Sequence, residues 1–360
     1  MPDIHISPHG DVIISLPHQG DFPARFLVSS TALCTASPVF AAMLSPSSSF
    51  SEAVSLRSHN AIGNDLYVQN LSDDDPVALA VVLNAMHFQS LKVPRKVSVR
   101  QLMQLAIVCD KYNCAAVVKQ WVALWVDGWT KSTVLSTQLQ RLFIAWVFDV
   151  EEEFEFLTHA LVSKIAFAFE NDEALVGGEK KKKVCGLVKS NEGKREWFTC
   201  QLGEYAPSVV LDAMIKQRET AVRGILRVCK ATLDKYSTPQ VQCCHRSKTE
   251  QCDYTILAFL FKAFKNMGIM DFDHTAVADL SLERLVKDLG DIKIKHVTSE
   301  GTKEAKHSET CDPVKQMLLD LAVVMKEIVP LRLESFGRAE PAMSWETWEM
   351  ALGVGVSRQT

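Results

Sequence analysis

The sequence lacks most of what would announce an enzyme, a membrane protein or a secreted protein. It contains no GxSxG, no GxxxxGK[ST], no HExxH and no GxGxxG after a strand, so none of the familiar nucleophile elbows, phosphate cradles or zinc-protease helices is present. No catalytic activity is expected, although a triad need not be close in sequence. No window approaches eighteen apolar residues without a charge, so no membrane-spanning helix is expected. The N-terminal MPDIHISPHGD has no basic segment leading into an apolar one, so no secretory signal is expected either. There is no CxxC pair among the ten cysteines, and the net charge is only −4. That balance, with no basic recognition helix, gives little reason to expect nucleic acid or an anionic surface as partner.

What remains is a chain of 360 residues, 47% hydrophobic and 23% charged, long enough for two ordinary domains. Cys34, Cys109 and Cys229 fall inside apolar helical patterns, where cysteine acts as a small hydrophobe. Without a signal peptide, a reduced intracellular setting, cytoplasm or nucleus, is expected and disulfides are not.

Val12, Ile14 and Leu16 alternate, as do Phe22, Ala24, Phe26 and Val28, with the turn-rich Pro17-His18-Gln19-Gly20-Asp21 between them. This predicts a β-hairpin. From Leu33 the apolar spacing changes to three and four (Ala36, Val39, Phe40, Met43, Leu44), and Ser37-Pro38 restarts it, which predicts two short helices in succession. Ser45 to Ser51 reads as a polar loop around Phe50, and Leu66–Leu71 as a further strand. Asp73-Asp74-Asp75-Pro76 opens an almost wholly apolar helix, and Ser98 with Gln101 forms a capping box for the next. Val118, Trp121, Val122 and Trp125 mark one more helix, closing a compact α+β unit near residue 127.

Beyond it the strand signal fades. Helices are predicted at 139–148, 154–169, 209–236, 253–267, 281–290 and 313–329, with flexible segments near 177–196 and 296–310.

The run Asp11-Val12-Ile13-Ile14, then Phe26-x-Val28-Ser29-x-x-x-Leu33-Cys34-x-x-Ser37-Pro38-Val39-Phe40-x-x-Met43-Leu44, with the later Cys109-Asp110-Lys111-Tyr112, resembles a BTB/POZ domain over residues 8–127. The layout is similar to the fungal BTB-domain proteins with a helical C-terminal region, here 128–336, followed by a tail over 337–360. The fold class implied is α+β: a small β-sheet flanked by a helical cluster, then a mostly α-helical domain.

The resemblance implies a protein-binding module that pairs with another BTB domain, as a homo- or hetero-oligomer, or docks a cullin-type scaffold of a ubiquitin ligase. Adaptors of that kind carry a hydrophobic residue, any residue, then glutamate after the second short helix, and Phe50-Ser51-Glu52 stands there. The alternative is a loop aromatic folded back on the core. Asp11 matches the family's acidic position, but Ser29-Ser30 replaces the usual His and basic residue, and little sequence precedes Asp11 where dimeric members carry an extra helix. Both departures argue against strand-exchanged dimerisation. The competing function is a self-associating scaffold or transcription-associated regulator with no ubiquitin-ligase role.

Other features admit two readings each. Cys244, Cys252, His307 and Cys311 suit a closed structural zinc site by ligand chemistry, or are simply unpaired side chains in polar loops. Lys180–Lys183 reads as a nuclear-import or acidic-partner patch, or as a solvated loop. Trp121, Trp125, Trp129 and Trp146 read as packing at the domain junction or as a ligand box. Trp345 and Trp348 read as a docking stub or as packing on the helical domain.

Overall fold

The computed structural model describes residues 4–17, 25–62, 65–127, 129, 135–164, 166–167, 184–189, 195–198, 207–240, 242, 250–277, 280–294 and 312–338. The chain is mixed α+β and mostly helical, with a small four-stranded sheet near its start. No described helix is long and apolar enough to cross a membrane.

The sheet consists of β1 (Ile4–His5), β2 (Val12–Ser15), β3 (Arg25–Val28) and β4 (Tyr67–Asn70), in the order β1-β3-β2-β4. β2 and β3 form the predicted hairpin, with Val12 opposite Val28 and Ile14 opposite Phe26. β4 adds to β2 in parallel, and β1 adds to β3 in parallel. Val12, Ile14, Phe26 and Val28 are wholly buried, and Ile13 and Leu27, opposite one another, are nearly so. Both faces of the hairpin are therefore covered, which a two-residue alternation alone does not reveal. β1 was not predicted, because two residues are too few to show a period.

α1 (Ser30–Ala36) and α2 (Pro38–Leu44) follow β3 directly, and Ser37 caps α2 by accepting from the Phe40 amide, with Pro38 at the first helical position. The same Ser37 hydroxyl donates to the Tyr112 carbonyl at 2.6 Å. One cap residue thus ties the second helix to a segment 75 positions later. α3 (Ser51–Ile62) was not predicted; only Ala53 and Leu56 of its first half are buried, so it carries little apolar stripe. α4 (Pro76–Met86) is capped by Asp75 and buried on most sides, as its composition requires.

α5 (Val99–Lys111) begins with the Ser98/Gln101 capping box, and α6 (Lys119–Val126) follows a short 3-10 turn. At the end of α5, Tyr112 stacks on Phe40 with ring centroids 4.4 Å apart, and its hydroxyl donates to buried Asp74 at 2.6 Å. Lys111 also reaches Asp74 at 3.0 Å. The Lys-Tyr pair therefore clamps three elements around one carboxylate.

The second region holds α7 (Leu135–Val147), α8 (Glu151–Lys164), α9 (Ser208–Ser237), α10 (Glu250–Asn266), α11 (Leu282–Gly290) and α12 (Pro313–Lys326). α8 stops short of the predicted 154–169, and β5 (Ala166–Phe167) follows it. β6 (Val184–Lys189) and β7 (Arg195–Phe198) pair antiparallel in the stretch that the sequence reads as a flexible break, giving a three-stranded sheet with β5. The helical region is thus not without strands.

α7 packs on α5 across the predicted boundary at 127, and the buried core runs without interruption from the sheet into the helices. Trp121 and Trp125 stack at 6.5 Å, Trp125 meets Phe148 edge-on, and Trp146 lies against Phe154 and Phe336. These tryptophans pack the junction.

Candidate functional site

Phe50 stands at the end of a serine-rich turn whose own hydrogen bonds fix its path. The Ser48 hydroxyl donates to the Ala42 carbonyl at the end of α2, and the Phe50 amide donates back to that hydroxyl at 3.3 Å. From α3, one guanidinium nitrogen of Arg57 donates to the Pro46 and Ser48 carbonyls at 2.9 and 2.7 Å. The turn is thus bonded to α2 on one side and to α3 on the other. Phe50 does not fold back on the core: it is 60% exposed, and Val54, one helical turn on, is 43% exposed. Ala53 and Leu56 face inward, so α3 presents Phe50 and Val54 together.

Glu52 stands in the first turn of α3, where the positive end of the helix dipole favours a carboxylate. Its own backbone amide holds its carboxyl below the usual range, helped by the Ser51 hydroxyl, which donates to Oε2 at 2.8 Å. Phe50 and Glu52, predicted as a loop motif, thus lie at the start of a helix. An exposed aromatic and a carboxylate held below the usual range thus stand two positions apart at the start of α3.

Asp11 is engaged within the chain. Its two oxygens accept from the Ser30 amide at 2.7 Å and the Ser30 hydroxyl at 2.6 Å, at the positive end of α1. Ser29 caps α1 and sends its amide to Nε2 of His87 at 2.9 Å. Nδ1 of His87 lies 2.8 Å from the Leu83 carbonyl, so the hydrogen-bond pattern assigns the proton to Nδ1 and leaves Nε2 as acceptor. Burial lowers the pKa of His87, opposed by the Leu83 carbonyl and the Asp11 charge. Both donors to Asp11 therefore come from Ser30, while Ser29 turns to His87 and the start of α1. No local sequence pattern points to His87, which closes an apolar helix 58 positions from Ser29.

Of the four candidate zinc ligands, Cys244, His307 and Cys311 lie outside the described residues, and Cys252 is buried in α10. Among the described residues no group of three His, Cys, Asp or Glu side chains is placed to hold a metal ion. Lys180–Lys183, Trp345 and Trp348 also lie outside the described residues. A cleft of about 320 Å³ is lined by Lys119, Asp149, Glu155, Arg332 and Arg338. Its charges are paired with one another: Arg338 with Asp149 at 3.4 Å, Arg332 with Glu155 at 3.2 Å, Lys119 with Asp149 at 3.9 Å. No protein-family model matches this chain, and no curated protein matches it.

Proposed function

We propose that the chain is a non-catalytic interaction protein, an adaptor or scaffold whose BTB-like first region binds a protein partner while the helical region selects a client. The partner face is the start of α3, with Phe50 as anchor, Val54 beside it and Glu52 as the orienting charge. The observation that carries this reading is the 60% exposure of Phe50 on a turn held from both sides by Ser48 and Arg57. A large aromatic kept in water by a well-bonded turn costs hydrophobic free energy that a partner would recover. The partner class that the resemblance supplies is a cullin-type scaffold, and the mechanism is proximity between that scaffold and the client.

The double substitution Phe50→Ala, Glu52→Ala tests it. Truncating an interface anchor costs about 2 kcal/mol or more, so cullin capture should fall roughly thirtyfold or further. Circular dichroism and the thermal midpoint should stay near wild type, because neither side chain is in the core. Wild-type protein that captures no cullin removes the ligase role, and a double variant that binds as wild type removes this face.

A further inference from the structure

α4 ends in a Schellman-type turn. The Gln89 amide donates to the Asn84 carbonyl at 2.9 Å and the Phe88 amide to the Ala85 carbonyl at 3.1 Å. Phe88 takes the left-handed position, φ 57°, where glycine or asparagine is usual because a Cβ is strained there. Its ring is 91% exposed and Leu91, three residues on, is 99% exposed, the two largest exposures among the described bulky apolar side chains. Around them the charge is of one sign. No acidic residue occurs between Asp75 and Asp110, whereas Lys92, Arg95, Lys96 and Arg100 all do. All four are exposed. Among the described residues none of the four pairs with a carboxylate. In a chain of net charge −4, this is an apolar knob with an uncompensated cationic rim.

The sequence contains the complementary chemistry. Past Arg338, the stretch Glu340-Pro341-Ala342-Met343-Ser344-Trp345-Glu346-Thr347-Trp348-Glu349-Met350-Ala351-Leu352 carries three carboxylates, two tryptophans and no cation. It departs from the right place. Arg338 lies over Trp146 and pairs with Asp149, and Asp149 follows Phe148. The Phe148 ring is 6.4 Å from that of Trp125, whose indole N–H donates to the Pro94 carbonyl at 2.8 Å. Pro94 adjoins Arg95, so two aromatic side chains bridge the end of the described chain to the basic turn. Trp345, seven residues past Arg338, has a reach of roughly 23–25 Å when extended.

We infer that residues 340–352 dock intramolecularly on the Phe88–Leu91 turn, with Trp345 and Trp348 against the two apolar side chains and Glu346 and Glu349 against Lys92, Arg95, Lys96 and Arg100. The docked segment covers the apolar surface and neutralises its rim; each contribution alone is weak in water, and the two act together. The inference stands independently of the adaptor reading.

Zero-length carbodiimide cross-linking of the full chain, mixed in equal parts ¹⁵N-labelled and unlabelled, tests it by mass spectrometry. Expected are links from Lys92 or Lys96 to Glu346 or Glu349, within peptides of one label, that weaken in high salt. They should fall roughly tenfold or more in Trp345→Ala, Trp348→Ala and in Phe88→Gly, Leu91→Ala, an effect of the size that losing one good anchor produces. Phe88→Gly suits the left-handed backbone, so a lost link there does not signify unfolding. Absence of these links, or links unchanged in both variants, overturns the inference. Links found only between labelled and unlabelled chains assign the surface to a second copy instead. Vesicles of phosphatidylserine and phosphatidylcholine that sediment wild type and the tryptophan variant alike, but not Phe88→Gly, Leu91→Ala, assign it to a membrane.

Discussion

His87 shows how much one side chain can join. Its ring receives the Ser29 amide on Nε2 and contacts the Leu83 carbonyl through Nδ1, so it links the start of α1 to the end of α4 as a neutral group. Protonation would place a hydrogen on the atom that Ser29 already uses, and burial lowers the ring's pKa. An unfolded chain returns the ring to about 6.5. As pH falls, the unfolded ensemble therefore takes up the proton first, and stability present above about pH 6.5 is lost on the way down to the lower folded value. Urea midpoints at neutral and mildly acidic pH should show a larger acid-side loss for wild type than for His87→Gln, which keeps an acceptor but does not titrate. Equal losses would mean that the ring is not a determinant of acid stability. Tyr112 illustrates the other half of what sequence conceals. The helix cap at Asp75 is legible because donor and acceptor are three residues apart. The neighbouring Asp74 looks like part of the same cap, yet it serves Tyr112 and Lys111, 38 and 37 residues away. Ser29-Ser30, in the same way, is readable as a helix start, but not as the partners of His87 and Asp11 respectively.

Elements were legible where they repeat their period and obscure where they are short or diluted. Helices α9 to α12 show apolar residues at three and four, and α11 and α12 carry local caps at Ser281 and Asp312. α3 is hard to read because its described inward face is little more than Ala53 and Leu56, and β5 because it spans two residues. β6 and β7 are obscured by a glycine and flanking lysines that interrupt their apolar run. Packing between elements is less legible still, as Gly224 shows. On α9 it faces α12 so closely that a Cβ would come within 2.7 Å of Cγ1 of Val324. Ala is intrinsically about 1 kcal/mol better than Gly in a helix. Against that, a β-branched valine has few rotamers to retreat into, and overpacking of this kind costs about 1–3 kcal/mol. Gly224→Ala should therefore destabilise by about 1 kcal/mol, while the same change in a Val324→Ala background should stabilise. A double-mutant cycle by chemical denaturation measures the coupling; additive effects would show that the two helices yield instead.

At the scale of the whole molecule, the buried core continues across the predicted boundary near residue 127. The composition break near residue 127 suggests two units, and the sequence gives no sign of what lies across it, because α5, α7 and the returning C-terminal segment meet only in three dimensions. That segment is fastened along α8. The Leu331 amide donates to the Thr158 hydroxyl and the Leu333 amide to Glu151, both at 3.1 Å, and Arg332 pairs with Glu155. Phe336 closes the contact, with its ring 5.7 Å from Trp146 and 6.1 Å from Phe154. Trp146 in turn belongs to α7, which packs on α5. A core so connected should unfold as one unit, since separate transitions require an interface weaker than either core. Leu79→Ala in α4 and Leu333→Ala beside α8 remove side chains that are almost wholly buried, each at about 2–5 kcal/mol. Both should move the same calorimetric transition, and near- and far-ultraviolet circular dichroism should report one midpoint in each variant. A Leu333→Ala protein that splits into two transitions, with the sheet region melting at its wild-type temperature, would show that the boundary near residue 127 separates two independent folding units after all.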